Sequence, residues 1–194
     1  MDFRPVGIFD SGMGGLTSVR ELRRLLPGED IAYLGDTARV PYGGRSVEEL
    51  RRIAESDVRF LRGRGVKAML VACGTVSSNC LDYVQEKAGV PALGVVKPTA
   101  REAAEATENG RIVATQRSGA FVRELKALEP GLEVFASGSP KLVPLVEAGR
   151  ADPEDPEVAA AVSECLAGLR DAGVDTLILG CTHFPLLAGA ISAY

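Results

Sequence analysis

The amino-acid sequence predicts an α/β fold with mostly parallel sheet, and two patterns carry that prediction. Short apolar runs alternate with longer segments of helical period, which is how a chain reads when strands are connected through covering helices. The second pattern is an internal repeat. Gly65-Val66-Lys67-Ala68-Met69-Leu70-Val71-Ala72-Cys73-Gly74-Thr75 lies on Gly173-Val174-Asp175-Thr176-Leu177-Ile178-Leu179-Gly180-Cys181-Thr182-His183 without a gap. In both copies a helix ends at the glycine, an apolar strand follows, and a cysteine stands where the strand gives way to a turn. Such a repeat predicts two equivalent lobes.

In chain order the expected strands are Val6 to Phe9, Asp30 to Leu34, Ala68 to Ala72, Ala92 to Val95, Val134 to Ala136 and Thr176 to Leu179. The helices between them are Gly15 to Leu25, Val47 to Gly63, Ser77 to Ala88, Thr99 to Ala106, Ser118 to Leu128 and Glu157 to Ala172. Pro27-Gly28 and Gly89 end two of these helices, and Asp155-Pro156 followed by Glu157 opens another. Pro98, in the stretch Val95 to Thr99, marks a turn and the expected boundary between a first lobe, residues 1–97, and a second, residues 98–194.

The 194 residues are 46% apolar and 25% charged, enough apolar side chain for a packed core and for one large domain or two small ones. No run approaches the roughly 18 to 20 apolar residues of a membrane helix, so no membrane partner is expected. With 22 Lys/Arg against 26 Asp/Glu the formal charge is −4, and no basic block occurs. The phosphate-neutralising patch that dominates nucleic-acid affinity is therefore lacking, and no nucleic acid is expected as a partner. The opening MDFRPVGIFDSG has no basic segment followed by an apolar core, and a cytoplasmic location is expected. Cys73, Cys80, Cys165 and Cys181 are too few for a disulfide scaffold in a chain of this size. With His183 as the single histidine and no C-x-x-C pair, no metal site is expected.

Cys73 and Cys181 are the two copies of one position in the repeat. In an open α/β sheet, ligands bind at the carboxyl ends of the strands, where both thiols are expected. A thiol near a helix N-terminus has a partly stabilised thiolate, because unpaired N–H groups and the helix dipole favour negative charge there. Two such thiols on opposite sides of one cleft suit a two-base reaction: one removes a proton from one face of a carbon acid while the other delivers a proton to the opposite face. Cys80 and Cys165 fall inside expected helices, where a free cysteine behaves as a small hydrophobe. Asp10-Ser11-Gly12, followed by Gly14-Gly15, sits at a strand-to-helix turn whose N–H groups are available to an anion, and the same residues also read as an ordinary helix cap. Asp36-Thr37 ends the second strand, and Pro41-Tyr42-Gly43-Gly44 forms a loop able to present bare N–H groups, although it matches neither a dinucleotide fingerprint nor a P-loop. His183, two residues past Cys181, can orient or polarise that thiol or serve a structural role.

Taken together, Phe9-Asp10-Ser11-Gly12 with Gly14-Gly15-Leu16, Gly35-Asp36-Thr37 through Pro41-Tyr42-Gly43, Val71-Ala72-Cys73 with Thr75, Pro144-Leu145-Val146-Glu147 and Leu179-Gly180-Cys181-Thr182-His183 resemble the glutamate racemase family, of the cofactor-independent aspartate/glutamate racemase superfamily. These motifs run in the family's order through nearly the whole chain. The resemblance implies an α/β fold of two pseudo-symmetric lobes with mostly parallel sheets and the active site in the cleft between them. It implies interconversion of L- and D-glutamate with no cofactor, the D-isomer feeding bacterial peptidoglycan synthesis. Acid/base roles fall to Cys73 and Cys181, assisted by Asp10, His183 and Glu147. Substrate contacts fall to Asp10, Ser11, Pro41, Tyr42, Gly43, Gly74, Thr75, Thr182 and His183. Glutamate is then the small-molecule partner, and a homodimer is an assembly open to the chain.

Three departures from the family pattern set further expectations. Gly74 stands where the family usually has Asn after the first cysteine, so one side-chain contact to the substrate is expected to be absent or replaced by backbone. The segment Asn109 to Ser118 is shorter than the family's, and Ile112 to Thr115 is expected to fall short of supplying both a full central strand and the turn after it. The family continues well past the position of Tyr194, which leads to the expectation of an uncovered edge or groove on the first lobe. Two alternatives accompany the racemase reading: an inactive relative that binds a dicarboxylic amino acid without turning it over, and an aspartate racemase of the same superfamily.

Overall fold

A computed structural model describes residues 2–116, 118–169 and 171–194. Arg117, in the shortened segment, and Arg170, in the helix expected to reach Ala172, lie outside the described residues. The chain divides into two compact units, Met1–Val95 and Val96–Tyr194. Among the described residues each unit holds one sheet, and every strand pairing is parallel. No described helix is long and apolar enough to cross a membrane.

The first unit runs β1 (Val6–Asp10), α1 (Leu16–Leu25), β2 (Ile31–Gly35), α2 (Val47–Gly63), β3 (Ala68–Val71), α3 (Gly74–Asn79), α4 (Leu81–Ala88) and β4 (Ala92–Gly94). Its sheet order is β2-β1-β3-β4, with Phe9 opposite Leu34 on one side and Val71 on the other. Leu50, Ile53, Ala54, Val58 and Leu61 form the buried stripe of α2, at the spacing of one helix face. Ser46 starts that helix with a capping box: its hydroxyl accepts the Glu49 N–H, and the Glu49 carboxylate accepts the Ser46 N–H. The single helix expected over Ser77 to Ala88 is two. Cys80, at φ −139° and ψ 13°, breaks the helical path between α3 and α4, so it is a buried link residue rather than a helical one. Every residue of α1 keeps some exposure, with Leu16 and Leu25 open to solvent.

The second unit runs α5 (Val96–Ala106), β5 (Arg111–Ala114), α6 (Ala120–Leu128), β6 (Glu133–Ala136), α7 (Leu142–Glu147), α8 (Pro156–Leu166), β7 (Thr176–Ile178), a 3-10 turn (Phe184–Leu187) and α9 (Ala188–Ala193). Its sheet order is β6-β5-β7. The shortened segment therefore does hold a central strand, against the sequence-based expectation. Four residues suffice for β5 because β6 has four and β7 three, so no longer partner is left unpaired. Pro98, expected in a turn, lies in the first turn of α5, where a missing N–H leaves no intrahelical bond unmade. Asp155 caps α8 by accepting the Glu157 and Val158 N–H groups, with Pro156 at its first turn. α8 ends at Leu166, short of the expected Ala172, because Ala167 turns extended at ψ 134°. Leu142, Val158, Val162 and Leu187 bring α7, α8 and the 3-10 turn onto one core.

A tight approach in the first unit is testable. A Cβ on Gly94 would lie 2.3 Å from Ser77 Oγ and 2.8 Å from Leu81 Cδ2, while Ser77 Oγ accepts the Val95 N–H at 2.9 Å. Gly94→Ala is expected to destabilise the fold by about 1–3 kcal/mol, the usual cost of overpacking, read from the denaturant midpoint. Adding Ser77→Ala should recover only part of this, since it relieves the clash but removes the acceptor for Val95.

Candidate active site

Cys73 follows β3 and stands at the start of α3. The register of β1 on β3, with the Ala72 N–H donating to the Phe9 carbonyl at 3.0 Å, brings Asp10 and Cys73 to the same edge of the sheet. Asp10 is fully buried, and its Oδ2 accepts the N–H groups of Gly12 at 3.2 Å and Gly15 at 3.0 Å. Gly15 is required for that wrap, since a Cβ there would meet Asp10 Cβ at 2.5 Å. Burial pushes the Cys73 thiol up to about 12 and the Asp10 charge adds to the rise, while hydrogen bonding to Val76 N–H, the Ser11 side chain and Thr75 N–H works the other way. The helix-start donors expected to stabilise a thiolate are thus present but outweighed. Cys73 rests as a thiol, a proton donor. Gly74 is buried as the first residue of α3, and Thr75 beside it is half-buried.

In the second unit Cys181 follows β7 and is half-buried. His183 Nδ1 lies 3.5 Å from Cys181 Sγ, and Nε2 lies 2.5 Å from Glu147 Oε1, Glu147 being the last residue of α7. An ionised carboxylate only accepts, so with Glu147 ionised Nε2 carries a proton toward it and Nδ1 faces the sulfur. This carboxylate–imidazole–thiol chain can hold a proton on either side of the Sγ–Nδ1 contact. Thr182 Oγ1 lies 3.5 Å from the same Nδ1. Thr115, at the end of β5, locks the turn that presents Cys181: its hydroxyl donates to the Ile178 carbonyl and accepts the Gly180 N–H, each at 3.0 Å. Gly180 allows the approach, because a Cβ would lie 2.9 Å from Gln116 Cβ.

The loop from β2 to α2 carries Pro41, Tyr42 and Gly43, with the Val40–Pro41 peptide in cis. The Tyr42 side chain turns away from the loop surface. Its ring packs in the first unit's core, 2% exposed, and its hydroxyl sits 2.6 Å from Asp36 Oδ2 and 3.0 Å from Asp57 Oδ2. What the loop can offer a ligand is backbone N–H, at positions where Pro41 and Gly43 are exposed. Arg39 completes the cluster, with Nε 2.6 Å from Asp36 Oδ2 and Nη2 2.9 Å from Asp57 Oδ1. Burial and the bond to Asp36 raise the Tyr42 hydroxyl above its ordinary range. Burial works to lower Arg39, and the Asp36 hydrogen bond and Asp57 charge more than offset it. Sequence reasoning missed Arg39 and Asp57. A signal for Asp57 exists: it falls on the stripe of Leu50, Ile53, Ala54, Val58 and Leu61, where an apolar side chain belongs.

Each sheet delivers a thiol at the carboxyl edge of a strand, Cys73 beside Asp10 and Cys181 beside His183, on the α/β fold of the amino-acid racemases. The chain belongs to the Asp/Glu/Hydantoin racemase family, whose profile matches residues 17–194. It is similar to the glutamate racemase of Desulforudis audaxviator, 46% identical over 191 residues that cover 96% of this chain and 69% of that protein. Among solved structures, the glutamate racemase of Francisella tularensis in complex with D-glutamate superposes with a TM-score of 0.92 at 33% identity, over 100% of this chain and 74% of that one. The glutamate racemase of Thermus thermophilus in complex with beta-chloro-D-alanine gives 0.82 at 44% identity, over 98% and 72%.

The Asp10 charge raises Cys73, so removing it has a defined sign. Asp10→Asn, which keeps an oxygen for Gly12 and Gly15, is expected to move the pH profile of Cys73 alkylation to lower pH, measured by mass spectrometry of the labelled peptide. An unmoved profile would show that burial alone sets the thiol.

Proposed function

We propose that this chain interconverts L- and D-glutamate by proton transfer at the α-carbon, with Cys73 and Cys181 as the two acid/base groups, and supplies D-glutamate for peptidoglycan. The observation that carries the reading is that thiols at equivalent strand ends have unlike partners, Asp10 beside Cys73 and the His183–Glu147 pair beside Cys181. The relatives named glutamate racemase, one of them holding D-glutamate, supply the substrate class. The reaction belongs in the cytoplasm, where free thiols persist.

In one direction His183 Nδ1 takes the Cys181 proton, and the thiolate removes the α-proton. The C–H bond breaks, an S–H bond forms, and the electron pair spreads onto the α-carboxylate, which Thr75 and Thr182 hold. The Cys73 thiol then gives its proton to the opposite face, completing the new C–H bond and leaving a thiolate on the Val76 and Thr75 N–H groups. Its burial makes that thiolate a strong base, which is what the reverse direction needs. Ser11 and the N–H groups of Tyr42 and Gly43 receive the distal carboxylate. Recognition by fixed donors penalises an acid one methylene shorter, whose distal carboxylate falls short of them.

Cys73→Ser and Cys181→Ser should each reduce racemisation by about 10²–10⁴-fold, the usual worth of a positioned acid/base group, while Cys80→Ser and Cys165→Ser retain most activity. In deuterated solvent, early product should carry deuterium at the α-carbon while remaining substrate does not. Equal early labelling of both would indicate a single exchanging base and end the two-thiol reading. Glutamate should exceed aspartate by at least about tenfold in kcat/KM, and equal turnover would remove the Tyr42–Gly43 loop from distal-carboxylate binding.

A further inference from the structure

We propose that Asp57, a residue of α2 outside the substrate-contacting segments, is a positioning residue for the distal carboxylate of glutamate: through Tyr42 and Arg39 it holds the Pro41–Gly44 loop in its binding shape. The proposal rests on the functional reading above, which assigns the N–H groups of Tyr42 and Gly43 to that carboxylate.

The geometry is that of a clamp. Asp57 is fully buried on α2, and its two oxygens reach different residues of the loop, Oδ1 the Arg39 guanidinium at 2.9 Å and Oδ2 the Tyr42 hydroxyl at 3.0 Å. Those two residues bracket Pro41. The remaining ties of the loop are local: Arg45 donates to the Arg39 carbonyl at 2.7 Å and the Pro41 carbonyl at 2.9 Å, and Asp36 meets Arg39 and Tyr42 from the end of β2. Asp57 is the side chain in this set that joins the middle of the loop to the body of a long helix.

The charge balance argues that this is not a stabilising arrangement. With both carboxylates ionised, Asp36 and Asp57 face one guanidinium and share one hydroxyl proton, leaving a negative charge in excess in a buried place. The titratable and charged groups facing Asp57 are Asp36, Arg39 and Tyr42. On the α4 side of α2, Tyr83 donates to Glu55 and lies under Arg51 and Lys87. Burial pushes the Asp57 carboxyl up to about 6, the Tyr42 hydrogen bond opposes this, the Asp36 charge adds to it and Arg39 opposes it. A folded-state value above the unfolded carboxylate's about 3.9 means that the native state holds the proton more tightly. Asp57 therefore favours folding fully below about pH 4, and that contribution is lost as pH rises through about 6. Loop order runs the other way, because only the ionised form makes the ion pair with Arg39, and the protonated form, although its carbonyl oxygen still accepts from Tyr42, ties the loop less tightly. A residue kept for stability would not combine these two signs.

The test reads amide hydrogen exchange of segment 39–46, corrected for intrinsic rates, from about pH 5 to pH 8 on the whole chain, together with Tm and glutamate kinetics. In the wild type, protection of the segment should fall several-fold toward pH 5. Asp57→Asn should show the low protection at every pH, a Tm at neutral pH no lower than the wild type, and a KM for glutamate raised about tenfold with kcat within about twofold, the pattern of a lost binding contact. Tyr42→Phe, which removes the shared hydroxyl and no charge, should loosen the same amides. Wild-type protection in both variants overturns the proposal, as does a loosened segment with unchanged KM. A wild-type chain that racemises glutamate while Asp57→Asn alters neither protection nor KM defeats the proposal alone. A wild-type chain that neither binds nor racemises glutamate defeats the functional reading and the proposal with it.

Discussion

Parallel register between a central strand and one neighbour is the constraint on which the chemistry of each unit depends. In the first, Phe9 pairs with Val71, so Asp10, the last residue of β1, arrives beside the Cys73 sulfur just past the end of β3. In the second, Ala114 pairs with Ile178, and Thr115 binds both the Ile178 carbonyl and the Gly180 N–H, aiming the turn that carries Cys181. A slip of one residue in either pair would turn the strand's side chains to the other face. Strands of three to five residues suffice because the sheet's task here is to set where its carboxyl edge ends.

That register also shows how the two units have diverged. Val6 opposes Ala68 and Ile112 opposes Thr176, and the repeat lays Ala68 on Thr176. Counting along the strands, Asp10 of the first unit corresponds to Gln116 of the second. No carboxylate therefore stands at that place beside Cys181, and the ionisable partner comes from elsewhere: His183, two residues on, tied to Glu147 at the end of α7. One thiol is raised by burial and a neighbouring negative charge, and the other faces an imidazole that can exchange its proton. Like scaffolds with unlike electrostatics suit a reaction in which one group must give a proton while the other takes one.

Close backbone approach and buried charge are the costs of these arrangements. Gly15 and Gly180 stand where any Cβ would collide with Asp10 or Gln116, so the turns can wrap onto their strands only without a side chain. The cluster of Asp36, Arg39, Tyr42 and Asp57 places two carboxylates in a region that also contains Phe9, Leu50 and Ile53. Its members surround the loop whose backbone is the proposed seat of the distal carboxylate, which is where such a cost finds a use.

The parallel α/β class, most strand positions and the strand-end placement of both thiols were determined by the sequence, because apolar period, glycine stops and the Gly-Val repeat are local signals that survive in any context. The capping of α8 at Asp155 and the αL stop at Gly89 were legible for the same reason. Other features were decided only when distant segments met. The four-residue strand at Arg111–Ala114 is central because β6 and β7 flank it, and neither its length nor its composition announces that. The break at Cys80 and the short helix α7 that delivers Glu147 depend on packing rather than on any stop or start residue. The inward packing of the Tyr42 ring was hidden likewise, since the loop's sequence announces only available backbone N–H groups, and Asp36 and Asp57 converge on the hydroxyl only in the fold. The proton affinity of Cys73 belongs to the same class: sequence places a helix start beside the sulfur, but desolvation and the field of Asp10 are properties of the folded surroundings, and they outweigh the local donors.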